Sequence, residues 1–159
     1  SETAKSFRPD PAFKEQLTNV FKTYIEMKNA FVESNAGKVT QKAVMVKKSL
    51  DATDMSLLTG EQHMSWMDQL EKLKNSINTI AGANEIGVQR EAFANFNQTF
   101  YKSIKMFGLT DKTAYYQYCP MAFGNQGAFW LSETKEIRNP YFGDKMLKCG
   151  ETREIIGAD

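Results

Sequence analysis

The chain has 159 residues, 42% of them hydrophobic and 25% charged, with a formal net charge of +1. Those values suit one soluble globular domain, long enough to bury a real core. Lysines scattered along helical stretches give no basic footprint for nucleic acid or an anionic membrane surface, and no apolar run is long enough to span a bilayer.

The opening SETAKSFRPDP reads as a polar lead-in without a signal-peptide pattern, as expected also of a processed product. Asp10-Pro11 then starts a helix, with Asp as N-cap and Pro at the first helical position. Phe13, Leu17, Val20, Phe21, Tyr24, Met27 and Phe31 recur at helical spacing, and Gly37 is expected to end the element near residues 35–37. Thr40 is expected to cap a second helix whose inner face carries Ala43, Val46 and Leu50. Thr59 with Gln62 fits a capping box, opening a third helix over about 60–81 with His63, Met67, Leu70, Leu73, Ile77 and Ile80 on one stripe. Asn84 caps a fourth, lined by Val88, Ala92, Phe93, Phe96, Phe100, Ile104 and Phe107 and ended by Gly108.

Short loops between four such helices predict an up-down-up-down bundle over about 11–108. After Gly108 the pattern becomes β-branched and aromatic. Thr113 to Cys119 and Ala128 to Ser132 read as a hairpin, Asn139-Pro140 as a turn, Gly143-Asp144 as a short helical turn, and Glu151 to Ile156 as a last strand. The expected fold is mainly α, with a small C-terminal β-hairpin and loop extension, about 109–157, packed on the bundle as part of one domain.

Several chemistries lack their residues. One histidine makes no HExxH zinc site, there is no Cys-x-x-Cys pair for thiol redox work, and no phosphate loop or Gly-x-Ser-x-Gly elbow occurs. No enzyme activity is expected. What stands out is a set of soft ligands. Cys119 and Met121 flank a proline, and an extended backbone there would put both on one face. Met146 and Cys149 share a face if their stretch is one helical turn. On the third helix, His63 and Met67 are four apart and Met64 and Met67 three apart. Thiolate and thioether sulfur favour Cu(I), and by the same softness Ag(I), with Zn the less suited competitor.

Each group also has an ordinary structural role. By spacing alone the cysteines read first as a disulfide, next as metal ligands and last as free thiols; a bridge would close a loop of about thirty residues, worth roughly 3–4 kcal/mol. Methionines on helices usually fill cores, and a lone histidine on an apolar stripe is usually a hydrogen-bonded core residue.

The segment YYQYCPMAFGNQGAFWLSETKEIRNPYFGDKMLKCGE, with EQHMSWM and DMSLLTG upstream, resembles a bacterial extracytoplasmic domain-of-unknown-function family across about residues 12–155. That family is common in Bacteroidetes and occurs alone or at the C-terminus of periplasmic adaptor subunits of copper/silver efflux systems. The resemblance implies a secreted helical-bundle domain in a heavy-metal context, without an established enzyme activity. It implies a ligand set of Cys119, Met121, Met146 and Cys149, joined by His63, Met64 and Met67.

The first expectation is therefore a periplasmic or otherwise extracytoplasmic Cu(I)/Ag(I)-binding domain that sequesters the ion or passes it to an efflux adaptor or another copper carrier, with His63 close to Cys119 or Cys149. The alternative is a non-catalytic interaction or structural module of such an adaptor, with a Cys119–Cys149 disulfide and Phe129, Trp130, Tyr141 and Phe142 as a docking surface.

Overall fold

In the computed structural model, residues 5–157 are described; the first four residues of the polar lead-in lie outside the described residues. Asp10 accepts a hydrogen bond from the Ala12 N–H (2.8 Å) and starts α1, Pro11–Val32. Ser34 takes a left-handed conformation (φ 56°), and the chain turns at once into α2, Ala36–Asp51. The cap of α2 is Asn35, whose side chain accepts from the Lys38 N–H at 3.0 Å; Thr40 and Gly37 lie inside the helix, contrary to the roles expected of them.

Helix α3, Glu61–Gly82, starts after Gly60 (φ 54°) with no side-chain cap bond, so Thr59 does not form the anticipated box. Helix α4, Ile86–Phe107, stops at Gly108 (φ 80°). It follows Glu85 rather than an Asn84 cap, and Val88 faces solvent.

The four helices form the bundle. Near one end, Trp66 of α3 meets Phe13 of α1 and Phe107 of α4 edge-on (5.3 and 5.9 Å). Toward the other, Phe31 stacks on Phe93 at 4.4 Å. Between them, Tyr24 packs among Phe93, Phe96 and Phe100. The start of α1 thus meets the end of α4, as an up-down-up-down order requires. No helix among the described residues is long and apolar enough to cross a membrane.

The extension is a three-stranded antiparallel sheet: β1 (Ala114–Cys119), β2 (Ala128–Ser132) and β3 (Glu151–Ile156), in the order β2-β1-β3. The central strand pairs with β2 from Tyr115↔Ser132 to Cys119↔Ala128. Alternation sends Tyr116, Tyr118, Phe129 and Leu131 to one face. There Tyr116 stacks on Tyr101 of α4 (3.9 Å) and on Phe129 (4.4 Å).

Bundle and sheet share a polar junction as well as a core. Tyr24 Oη donates to Asn97 Oδ1 (2.6 Å) and accepts from the Leu131 N–H (2.9 Å). Asn97 Nδ2 donates to the Phe129 carbonyl (2.9 Å) and to Tyr141 Oη (3.0 Å). Trp130 and Tyr141 are buried and Phe129 and Phe142 half-buried, so these aromatics build the core rather than the docking surface expected of them. They are needed to seal the sheet to the bundle, because short strands are marginal alone.

Candidate functional site

Cys119 ends β1 on the sheet face opposite the bundle-packed tyrosines, together with Gln117 and its cross-strand partner Trp130. Residues 133–149 fold back over this face. Gln117 Nε2 donates to the carbonyls of Thr134 (3.1 Å) and Lys135 (3.2 Å), and Tyr141 meets Trp130 edge-on at 6.0 Å. Two side chains of α1 clamp the returning segment. Lys28 Nζ lies 3.7 Å from Glu133 Oε2, and Asn29 Oδ1 accepts from Arg138 Nη1 at 3.3 Å. The Lys28 side chain is almost wholly buried, and burial pulls its ammonium below its ordinary pKa although Glu133 resists.

Asn139 sets the end of the segment. It is fully buried; its Oδ1 accepts from the N–H of Tyr141 (2.8 Å) and of Phe142 (3.2 Å), and its Nδ2 donates to the Cys149 carbonyl (2.8 Å). A 3-10 turn, Gly143–Met146, follows, and the Cys149 N–H closes on the Met146 carbonyl at 3.1 Å. Gly150 completes the approach with φ 144°. A Cβ there would stand 2.9 Å from both the Trp130 ring and the Tyr118 carbonyl.

The outcome is that the two thiols meet. Cys119 Sγ and Cys149 Sγ are free and 3.0 Å apart, Cys119 buried and Cys149 half-buried. The hydrogen bond with Cys119, together with burial and repulsion between the two sulfurs, pushes the Cys149 thiol up to about 11; the Met121 backbone N–H pulls weakly the other way. Both the bridge and the shared ion anticipated from the sequence require this proximity.

The methionines flank the pair unequally. Cys119 and Met121 do not share an extended backbone: β1 ends at Cys119, and Met121 is helical (φ −92°, ψ −9°) with an exposed side chain. Pro120 ends the strand instead of stiffening it. Met146 is half-buried and joined to Cys149 by the turn that its spacing suggested.

The structure does not bring His63, Met64 and Met67 to this pair. One turn after His63, Trp66 packs on Phe107, the last residue of α4, and Gln69 Oε1 accepts from Ser103 Oγ at 2.6 Å. The cysteine segment instead joins α4 at Phe93 and Asn97. Ten residues of α4 separate Asn97 from Phe107, about 15 Å of helix axis. Among the described residues, no three of His, Cys, Asp and Glu gather around one point. The expected contact of His63 with Cys119 or Cys149 is therefore corrected.

Sequence reasoning missed Asn139, Gln117 and Gly150 as the residues that position the sulfurs. Asn139 carried a signal, since an Asn preceding Pro favours a turn closed by its own side chain. The other two act through contacts with distant backbone that no local pattern encodes.

No curated protein and no solved structure matches the chain. A family model described as "Protein of unknown function (DUF3347)" matches residues 20–112, which run from within α1 to just ahead of β1 and so include His63, Met64 and Met67 but neither cysteine. Matched over more than half of its length, the chain belongs to the family described as Protein of unknown function (DUF3347).

Proposed function

We propose that this chain is a non-catalytic, extracytoplasmic domain that takes up Cu(I) or Ag(I) between Cys119 and Cys149, holding the ion as cargo or passing it toward efflux. The observation that carries the reading is the 3.0 Å approach of two free sulfurs at the margin of the core. Soft thiolates suit a soft monovalent ion. With metal–sulfur bonds of roughly 2.3 Å, even a linear arrangement asks the sulfurs to part by less than about 2 Å. Cys149, half-buried and on a turn, is the partner placed to move.

Met121 and Met146 lie beside the pair in the chain and offer neutral soft ligands, Met121 from the solvent side. A structural zinc takes four nitrogen or thiolate ligands, and no group of even three His, Cys, Asp or Glu gathers among the described residues, which favours the monovalent ions. Delivery to a periplasmic efflux adaptor or another copper carrier rests on the resemblance of the cysteine segment. Competition for Cu(I) against a chromogenic chelator tests the site. Affinity falls sharply in Cys119→Ser/Cys149→Ser; equal affinity in wild type and double variant would overturn it.

The same proximity supports a second reading, a structural disulfide in an interaction module of an efflux adaptor. A bridge of about 2.05 Å needs the sulfurs to close by about 1 Å from their 3.0 Å separation. Intact mass after alkylation without reductant decides: two modified thiols exclude the bridge, none establishes it. The two states alternate on one pair, so oxidation would expel the ion.

A further inference from the structure

The third helix carries two methionines that the core does not use. Methionine on a helix normally fills gaps inside, yet Met64 is 73% and Met67 49% exposed, while Trp66 and Gln69 on the same helix are buried. His63 is half-buried beside them. Residues three and four apart on a helix are neighbours, with Cβ atoms roughly 5–6 Å apart. Met67 therefore stands next to both Met64 and His63, and an ion above that face reaches two thioethers and an imidazole.

We propose that His63, Met64 and Met67 form a second Cu(I)/Ag(I) site, separate from Cys119 and Cys149 and independent of the reading given for them. Its chemistry differs. All three ligands are neutral, so thioether coordination loses no proton and the bound ion keeps its charge. Thioethers select soft monovalent ions over zinc and hard cations, without the charge that makes a thiolate pair retentive. The first turn of α3 also sets its helix dipole against a cation, a penalty of roughly two- to fivefold. The nearby charges are largely paired: Glu61 with Lys5, and Asp68 with Lys72 at 3.2 Å. These features describe a weak, rapidly exchanging site in open solvent, suited to receiving an ion from a carrier.

The test is an Ag(I) titration of the Cys119→Ser/Cys149→Ser variant, followed by NMR of methionine methyl groups and the His63 ring. Met45 on α2 is the control. It is 44% exposed, but Gln41, Lys42, Lys48 and Ser49 occupy its helical neighbour positions, so it has no soft partner. Met64, Met67 and His63 shift together within the first equivalent, Met45 stays still, and Zn(II) reproduces none of it. Should the double variant lose the core methyl signal of Met27, wild-type protein titrated past its first equivalent gives the same readout. Met64→Leu/Met67→Leu, which alters only exposed positions, abolishes the His63 shift. Parallel movement of Met45, or no movement of Met64 and Met67, overturns the proposal. Failure of the cysteine site appears elsewhere, in the chelator competition.

Discussion

Asn139 and Cys149 are joined by a hydrogen bond from a buried side-chain amide to a backbone carbonyl, 2.8 Å long. The same amide's oxygen caps the turn at Tyr141 and Phe142. One residue thus sets both the shape of the return loop and the place where the second sulfur arrives.

Asn139→Ala removes three hydrogen bonds and leaves buried backbone groups without partners. The expected loss is about 1–3 kcal/mol of stability, read as a lower urea midpoint, together with weaker Cu(I) retention. Ser132→Ala, whose hydroxyl accepts one bond from the Thr134 N–H at 3.2 Å, is the milder comparison. Equal midpoints for the two variants would remove Asn139 from its role.

The proposed ion uptake at the cysteines predicts a pH dependence of definite direction. The Cys149 thiol, pushed up to about 11 by Cys119 and burial, is protonated at neutral pH, so an ion must displace its proton. Affinity for Ag(I) accordingly rises about tenfold per pH unit for each proton displaced and levels off above the thiol's own pKa. Titrations between pH 6 and 9, values on the order of the handled range of most buffers, measure the slope against a competitor of known affinity. A flat profile would mean that the Cys149 thiol is not a ligand.

Lys28 is buried at a cost. Its folded pKa lies below the ordinary 10.5, with desolvation as the main cause. The unfolded chain therefore binds more protons than the folded one between those two values, and stability from this group rises with pH across that window. Lys28→Met retains or increases stability at neutral pH, because a buried ion pair is often replaceable by a well-packed apolar side chain, and Glu133 is exposed enough to be solvated. Denaturation at neutral pH and again close to the ordinary lysine value of 10.5 checks the sign: the gap between variant and wild type narrows as pH rises into that window.

Gly150→Ala and Gly87→Ala separate two kinds of glycine. At Gly150 a methyl group meets Trp130 and the Tyr118 carbonyl on a backbone with φ 144°, and overpacking of about 1–3 kcal/mol follows. Gly87 lies in the first turn of α4 with nothing near its Cβ direction, so the alanine there gains roughly 0.4–1 kcal/mol. Thermal midpoints moving in opposite directions are the expected result.

The helices were legible because a 3.6-residue repeat survives over 16 to 22 residues, and β2 was legible because AFWLS sits between clear turn signals. Errors gathered where a repeat meets an end. His63 continues the stripe of Leu70, Leu73, Ile77 and Ile80 in sequence, but α4 stops at Phe107 and leaves His63 only half covered. Asn35 displaced Thr40 as the cap because Ser34 reverses the chain earlier than Gly37 suggested. The two cysteines were evident as candidates. Their meeting was anticipated, but the means of it was not, since it depends on hydrogen bonds from the Gln117 and Asn139 side chains to carbonyls ten or more residues away.

The returning segment exposes residues 133–136 between the two sulfurs. Whatever joins Cys119 to Cys149, bond or ion, turns the chain between them into a closed ring with β2 inside it. A protease that nicks the ring at Lys135 leaves the halves fastened, whereas the same nick in the open chain frees a C-terminal peptide held only by strand pairing and loop contacts. Joined in either way, the pair would act as a clasp on the C-terminal quarter of the molecule, keeping β3 attached to β1 after such a nick.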